Sequence, residues 1–264
     1  METRPETTLP RNPKSIEIPL ALIVSTSLGI TIGQAQVTAP DLTELSIEEL
    51  MSVQVISPTK QAQRLADTAS AIFVITQDDI RRSGVTNIPD ALRLAPGVQV
   101  MRIDASKWAI TIRGFNGRFA NKLLVLVDGR SIYTPAFAGV YWEIQDLLLE
   151  DIDRIEVIRG PGASLWGANA VNGVINILTQ RAADTQGLVS VTAGSPENIV
   201  VGLRCSGALG DDAHFRVYGK YLSQGGLLDA EGRDAGDDWR LGSGGFRLDW
   251  TPSGQDSVSL QGGR

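Results

Sequence analysis

The stretch from Asp151 to Leu178 constrains this chain most, because it reads as two strands joined by a segment too rich in glycine to continue either. The first strand sets Ile152, Ile155 and Val157 against a charged edge of Asp153, Arg154, Glu156 and Arg159. Gly160-Pro161-Gly162 and small residues follow, and then the apolar run Val174–Leu178. Gly160, Gly162, Gly167 and Gly173 permit backbone turns that a residue with a Cβ resists. The same region excludes a nucleotide loop. A P-loop ends in Gly-Lys-Ser/Thr, and no lysine occurs between Lys122 and Lys220.

Further upstream, punctuation by caps and breakers predicts short elements. Ala71–Ile75 is β-rich, and Thr76 stands three residues before Asp79, a capping-box start for a helix through Arg82 that Gly84 ends. Asn87 caps a second helix with Pro89 in its first turn, running through Leu94 to the Pro96-Gly97 stop. Strands are expected at Val98–Arg102, Ala109–Arg113 and Leu123–Val127. Few helices among several mixed strands predict a small α+β domain, with a core drawn from Ile72, Val74, Leu92, Leu94, Ile112, Leu126 and the strands above.

After Arg181 the pattern changes to alternation with period two. Phe215, Val217 and Tyr221 share one face of a strand, while His214, Arg216, Tyr218 and Lys220 share the other. Phe246, Leu248 and Trp250 likewise oppose Arg247 and Asp249, and Ile199, Val201, Leu203 and Cys205 oppose Arg204 and Ser206. Such runs separated by turns are the signature of outer-membrane strands, although a half-exposed sheet of a soluble sandwich alternates in the same way.

Chemistry-bearing residues are few. The 264 residues carry 24 basic and 30 acidic side chains for a net charge of −6, so nucleic acid is not an expected partner. His214 and Cys205 are the single histidine and cysteine. No internal disulfide can form, no catalytic triad has a plausible base, and no cofactor is expected; the chain does not read as an enzyme. Asp78-Asp79 and Glu150-Asp151 read as helix-start or solvated carboxylates. At the N-terminus, Arg4, Arg11 and Lys14 precede an apolar stretch from Pro19 to Ile32 and the small residues Gly33-Gln34-Ala35. That is the pattern of a secretory signal peptide, too short to span a bilayer.

Two ordered blocks carry a family resemblance. Ile112-Arg113-Gly114-Phe115 followed by Leu123-Leu-Val-Leu-Val-Asp-Gly-Arg130, and then Asp151–Leu178, closely resemble the plug domain of TonB-dependent outer-membrane receptors. The resemblance implies residues 1–35 as signal peptide, 36–57 as a linker with the TonB-coupling segment, 58–182 as plug and 183–264 as the first antiparallel strands of an incomplete transmembrane β-barrel. Asp41–Ser46 and Gln36–Ala39 both qualify as the coupling segment. Such barrels close with about 22 strands, so the chain is expected to be the N-terminal part of a receptor. It also implies a location in the cell outer membrane, TonB and membrane lipid as partners, and active uptake of a scarce nutrient such as a ferric siderophore. The alternative is a secreted soluble periplasmic binding or signalling module.

By the same resemblance, three loops face the ligand: Arg102–Trp108, Asn116–Asn121 and Tyr133–Trp142. Arg102, Trp108, Arg118, Phe119, Tyr141 and Trp142 are the expected contacts, suited to an anionic or metal-chelate ligand; the bland reading is packing against other loops. Arg113 and Arg159 match family positions that pair with glutamates on the inner barrel wall, with Glu156 completing the network inside the plug; the bland reading is solvated strand ends.

Overall fold

A computed structural model describes residues 54–56, 62–64, 71–195, 197–253 and 256–263. The expected signal peptide and both coupling-segment candidates lie outside them. Gln54–Ile56 (β1), inside the range read as linker, is instead a strand pairing antiparallel with Ala62–Arg64 (β2).

The capped helix forms as the sequence predicts. Ala71–Thr76 (β3) leads into Gln77–Ser83 (α1), where Thr76 accepts from the Asp79 amide and the Asp79 carboxylate accepts from that of Thr76. Gly84 closes the helix at φ 69°, a conformation glycine adopts without strain. Ile88–Ala91 (α2), capped by Asn87, continues as a 3-10 turn over Leu92–Leu94. A hairpin of Val98–Arg102 (β4) and Trp108–Ile112 (β5) follows.

Leu123–Val127 (β6), Arg130–Ser131 (β7), Ile152–Arg159 (β8), the short helix Ala163–Trp166 (α3) and Gly173–Thr179 (β9) complete the first domain. Its five-stranded sheet runs β3-β8-β9-β6-β7, antiparallel except for the β6–β9 pair. The two strands around the glycine segment therefore pair as neighbours, with Arg159 opposite Gly173. Gly173 is required there: a Cβ would stand 2.6 Å from the Ile158 carbonyl oxygen.

One face of this sheet and the helices enclose a core centred on Ile75, Ile80, Leu92, Ile155, Val157 and Ile175. The other face carries a smaller cluster of Leu124, Leu126, Ile158, Ala170 and Val174, against which Trp166 packs. Every residue of β5 and β6 is buried. Several sequence expectations are corrected. Ile72 and Val74 are only partly buried, because the sheet's second face is thinly covered, and Leu94, which ends the 3-10 turn in which Leu92 is the buried residue, is exposed. Glu156, assigned to a charged edge, is 0% exposed: β3 and β9 flank β8 on both sides and leave it no edge.

Beyond Thr179 the chain forms a five-stranded antiparallel meander, the wall: Leu188–Thr192 (β10), Glu197–Ala208 (β11), Ala213–Gln224 (β12), Trp239–Trp250 (β13) and Val258–Gly263 (β14). Its two faces are inverted relative to a soluble sandwich. Val217, Leu203, Phe246 and Val191 point outward and are exposed, whereas Arg216 is 3% and Lys220 5% exposed against the first domain. Cys205 is on the outward face and free.

Candidate functional site

The seam between the first domain and the wall is held by wall cations meeting carboxylates of the first domain. Asp151, 2% exposed in a 3-10 turn just before β8, accepts from Arg204 Nη1 at 2.5 Å. Its second oxygen lies 3.2 Å from Arg216 Nε, a charge contact out of line for a hydrogen bond. Arg204 also donates to the Gln186 carbonyl, and Arg216 to the Gln180 carbonyl at 2.8 Å. One turn of the sheet away, Lys220 Nζ donates to Asp146 at 2.5 Å and to the Leu147 carbonyl. Arg247 reaches Thr179, whose hydroxyl and amide are held by Asp128, while Asp249 accepts from the Ala182 amide. Gly202 in β11 leaves room for Leu148: a Cβ there would be 2.6 Å from Leu148 Cδ1.

These residues share positions by strand geometry. Arg216 and Lys220 are four apart on β12 and face the same way, and Lys220 pairs with Ser243, whose hydroxyl donates to the Asp146 carbonyl. The alternation of charged residues in β12 and β13 was visible in the sequence, but its destination was not. Asp151, read as solvated, is corrected to a buried bridge, because it turns inward where the chain enters β8.

Arg113 and Arg159 are adjacent. Arg113, at φ 61°, donates to the Arg159 carbonyl at 3.3 Å, and Arg159 donates to the Pro96 carbonyl at 3.2 Å. Glu156 accepts from Arg154 Nε at 2.9 Å and from the Asn176 side-chain amide at 3.3 Å.

The three candidate ligand loops gather at one end. Ala105, Ser106, Trp142 and Glu143 line a cleft of about 30 Å³ with Gln224 and Trp239, the paired residues that flank the 225–238 connection. That connection reaches the first loop through Asp237, which accepts from the Ala105 amide and the Leu227 amide, both at 2.8 Å. Those two amides, Leu227 first, hold the Asp237 carboxyl below the usual carboxylate range. Phe119 and Phe137 stack at 5.8 Å, and Tyr141 meets both edge-on at 5.4 and 5.2 Å. The trio depends on Gly139, where a Cβ would lie 2.7 Å from Phe119 Cα. Arg118 lies over the Phe119 ring and donates to Glu143 at 2.8 Å.

Of the six expected contacts, Phe119 and Tyr141 thus stand together with Arg118. Phe137, 55% exposed, joins them through a contact between two loops that spacing along the chain does not reveal. Arg102 turns back, donating to the Asp104 and Ala105 carbonyls and covering the Trp108 ring at 5.0 Å. Trp108 and Trp142 are buried in the core and support the loops from beneath. Among the described residues no cluster of three or more histidines, cysteines or carboxylates is arranged to hold a metal.

Residues 64–174 match the family described as TonB-dependent Receptor Plug Domain. The vitamin B12 transporter BtuB of Vibrio vulnificus is 33% identical over 144 residues, covering 53% of this chain and 23% of that protein. The iron-regulated outer membrane virulence protein of Vibrio cholerae is 33% identical over 210 residues, covering 74% and 31%. Among solved structures, the siderophore receptor PirA from Acinetobacter baumannii superposes with a TM-score of 0.58 at 28% identity, covering 74% of this chain and 31% of that one. The chain therefore spans less than a third of the length of the curated relatives it matches.

Proposed function

The chain carries the plug domain of the TonB-dependent receptor family, and from that premise we propose that it is the plug and first wall strands of an outer-membrane receptor for active nutrient uptake. The observation that carries this is the inverted wall: apolar side chains outward, Arg216 and Lys220 inward on plug carboxylates. A soluble module would bury the apolar face, whereas a lipid-facing sheet exposes it and keeps its charges inside. The loop end is the outer, ligand-facing side, since 225–238 is the longest connection of the wall and long loops are extracellular in such barrels. Arg118, Phe119 and Tyr141 contact ligand there, carried by Arg102, Trp108 and Trp142. Arg113 and Arg159 lock the plug to further wall strands, and TonB acts from the opposite side on a segment preceding β1. The transported nutrient is a metal chelate such as a ferric siderophore, or a compound handled as the relatives handle theirs.

The test is made in cells. The gene product should sediment with the outer membrane, and uptake of a radio-iron-labelled chelate or of labelled cyanocobalamin should fall to background on deletion of the gene or of TonB. Recovery of the protein in the soluble periplasmic fraction would overturn the reading.

A further inference from the structure

The cations nearest the aromatic trio and the first loop are mostly engaged, and that bears on which ligand this end takes. Arg118 is paired with Glu143, Lys107 with Asp104, and Arg93 with Asp90. Arg102 is committed to two carbonyls of its own hairpin. The neighbouring 225–238 connection adds Asp229, Glu231, Asp234, Asp237 and Asp238 against Arg233 alone, and Arg233 is itself held by Asp229. Arg240, exposed directly after that connection, stands outside these pairs, and the rest of the exposed surface at the aromatic trio and the first loop is apolar: the ring of Phe137 at the rim of the trio, with Met101 and Ile103 beside the first loop.

We propose that this end selects an uncharged solute with an apolar or aromatic face and discriminates against polyanionic chelates. The inference rests on the reading of the loop end as the ligand face. A polyanion would enter a field of excess carboxylates and would have to displace Glu143 from Arg118 to gain the cation that lies over the rings. An uncharged ligand meets no such opposition. It gains by stacking on Phe119, Phe137 and Tyr141, whose mutual packing presents their rings already ordered.

The test is equilibrium binding to the purified full-length gene product, with three probes: an uncharged ferric trihydroxamate, cyanocobalamin and a trianionic ferric tris-catecholate. At least one uncharged probe should bind about tenfold or more tighter than the trianion, equivalent to about 1.4 kcal/mol. Glu143→Gln, which frees Arg118, should raise affinity for the trianion by about tenfold and leave the uncharged probes within about twofold. Phe137→Ala, at an exposed ring whose loss leaves the core intact, should weaken the uncharged probe by about fivefold. Trianion binding equal to or tighter than the uncharged probes, yet still weakened by Phe137→Ala, overturns the charge preference while the ligand face stands. Binding of any probe with no response to Phe137→Ala or Glu143→Gln overturns the ligand face and the preference with it, as does binding of no probe at all.

Discussion

Replacing Asp151 with Asn tests whether the plug is held to the wall by charge. The substitution keeps the shape of the side chain and the main-chain bond from the Gln180 amide to the Asp151 carbonyl. It removes the charge that Arg204 and Arg216 face, with side chains only 9% and 4% exposed. At about 3 Å and an effective dielectric constant of about 20, each contact is worth about 5 kcal/mol before desolvation. Uncompensating a buried charge costs about 3–5 kcal/mol net. Arg204 and Arg216 retain bonds to the Gln186, Glu150 and Gln180 carbonyls, so the lower end, about 3 kcal/mol, is expected. Hydrogen exchange reads this directly. Amides of β8, β9, β11 and β12 should exchange about two decades faster, while those of the β4–β5 hairpin, distant from the bridge, change little. Unchanged protection in β8 and β11 would refute the electrostatic seam, and uniform loss across the plug would mean that Asp151 serves only the fold.

Three further outcomes follow from local geometry. Gly173→Ala should lower plug stability by about 1–3 kcal/mol, since the new methyl meets the Ile158 carbonyl, backbone that cannot swing aside; a urea midpoint matching the parent would contradict this. Leu126→Ala, in the small cluster on the sheet's second face, should cost about 2–5 kcal/mol by the same measurement, and a negligible shift would mean that this face is not packed. Asp237 has a folded pKa below its unfolded value, so its tie between Ala105 and Leu227 is intact above the ordinary carboxylate pKa of about 4 and is lost as pH falls through the lower folded value. Protection factors of the Ala105 and Leu227 amides, taken relative to intrinsic exchange, should therefore fall on acidification and stay level with pH in Asp237→Asn; protection that falls on raising the pH would invert the sign and exclude the mechanism.

Local chemistry made much of the plug legible. Thr76 and Asn87 act through side chains that cap amides three residues on, Gly84 and Gly160 through their own backbone, and the elements they bound stand within a residue or two of expectation. What escaped depends on a second strand. The burial of Glu156 requires Arg154 beside it and Asn176 across the β8–β9 ladder, a pairing that register alone decides. Trp108 resembled a loop-tip aromatic, yet β5 is buried on both sides and shows no alternation to mark its faces. The charges of β12 and β13 were legible as one face; that this face is the buried one follows only from the carboxylates of Asp128, Asp146 and Asp151 lying opposite.

β9 is the last plug strand in the chain and lies at the centre of the sheet, antiparallel to β8 on one side and parallel to β6 on the other. When the polypeptide becomes available N-terminus first, β3 and β8 can pair, but β6 and β7 have no way to join them until residues 173–179 arrive. The ladder then closes over a long intervening loop, the slow kind of contact to form. Until that moment Leu123–Val127 offers an apolar strand with an open edge, the condition under which chains associate with one another.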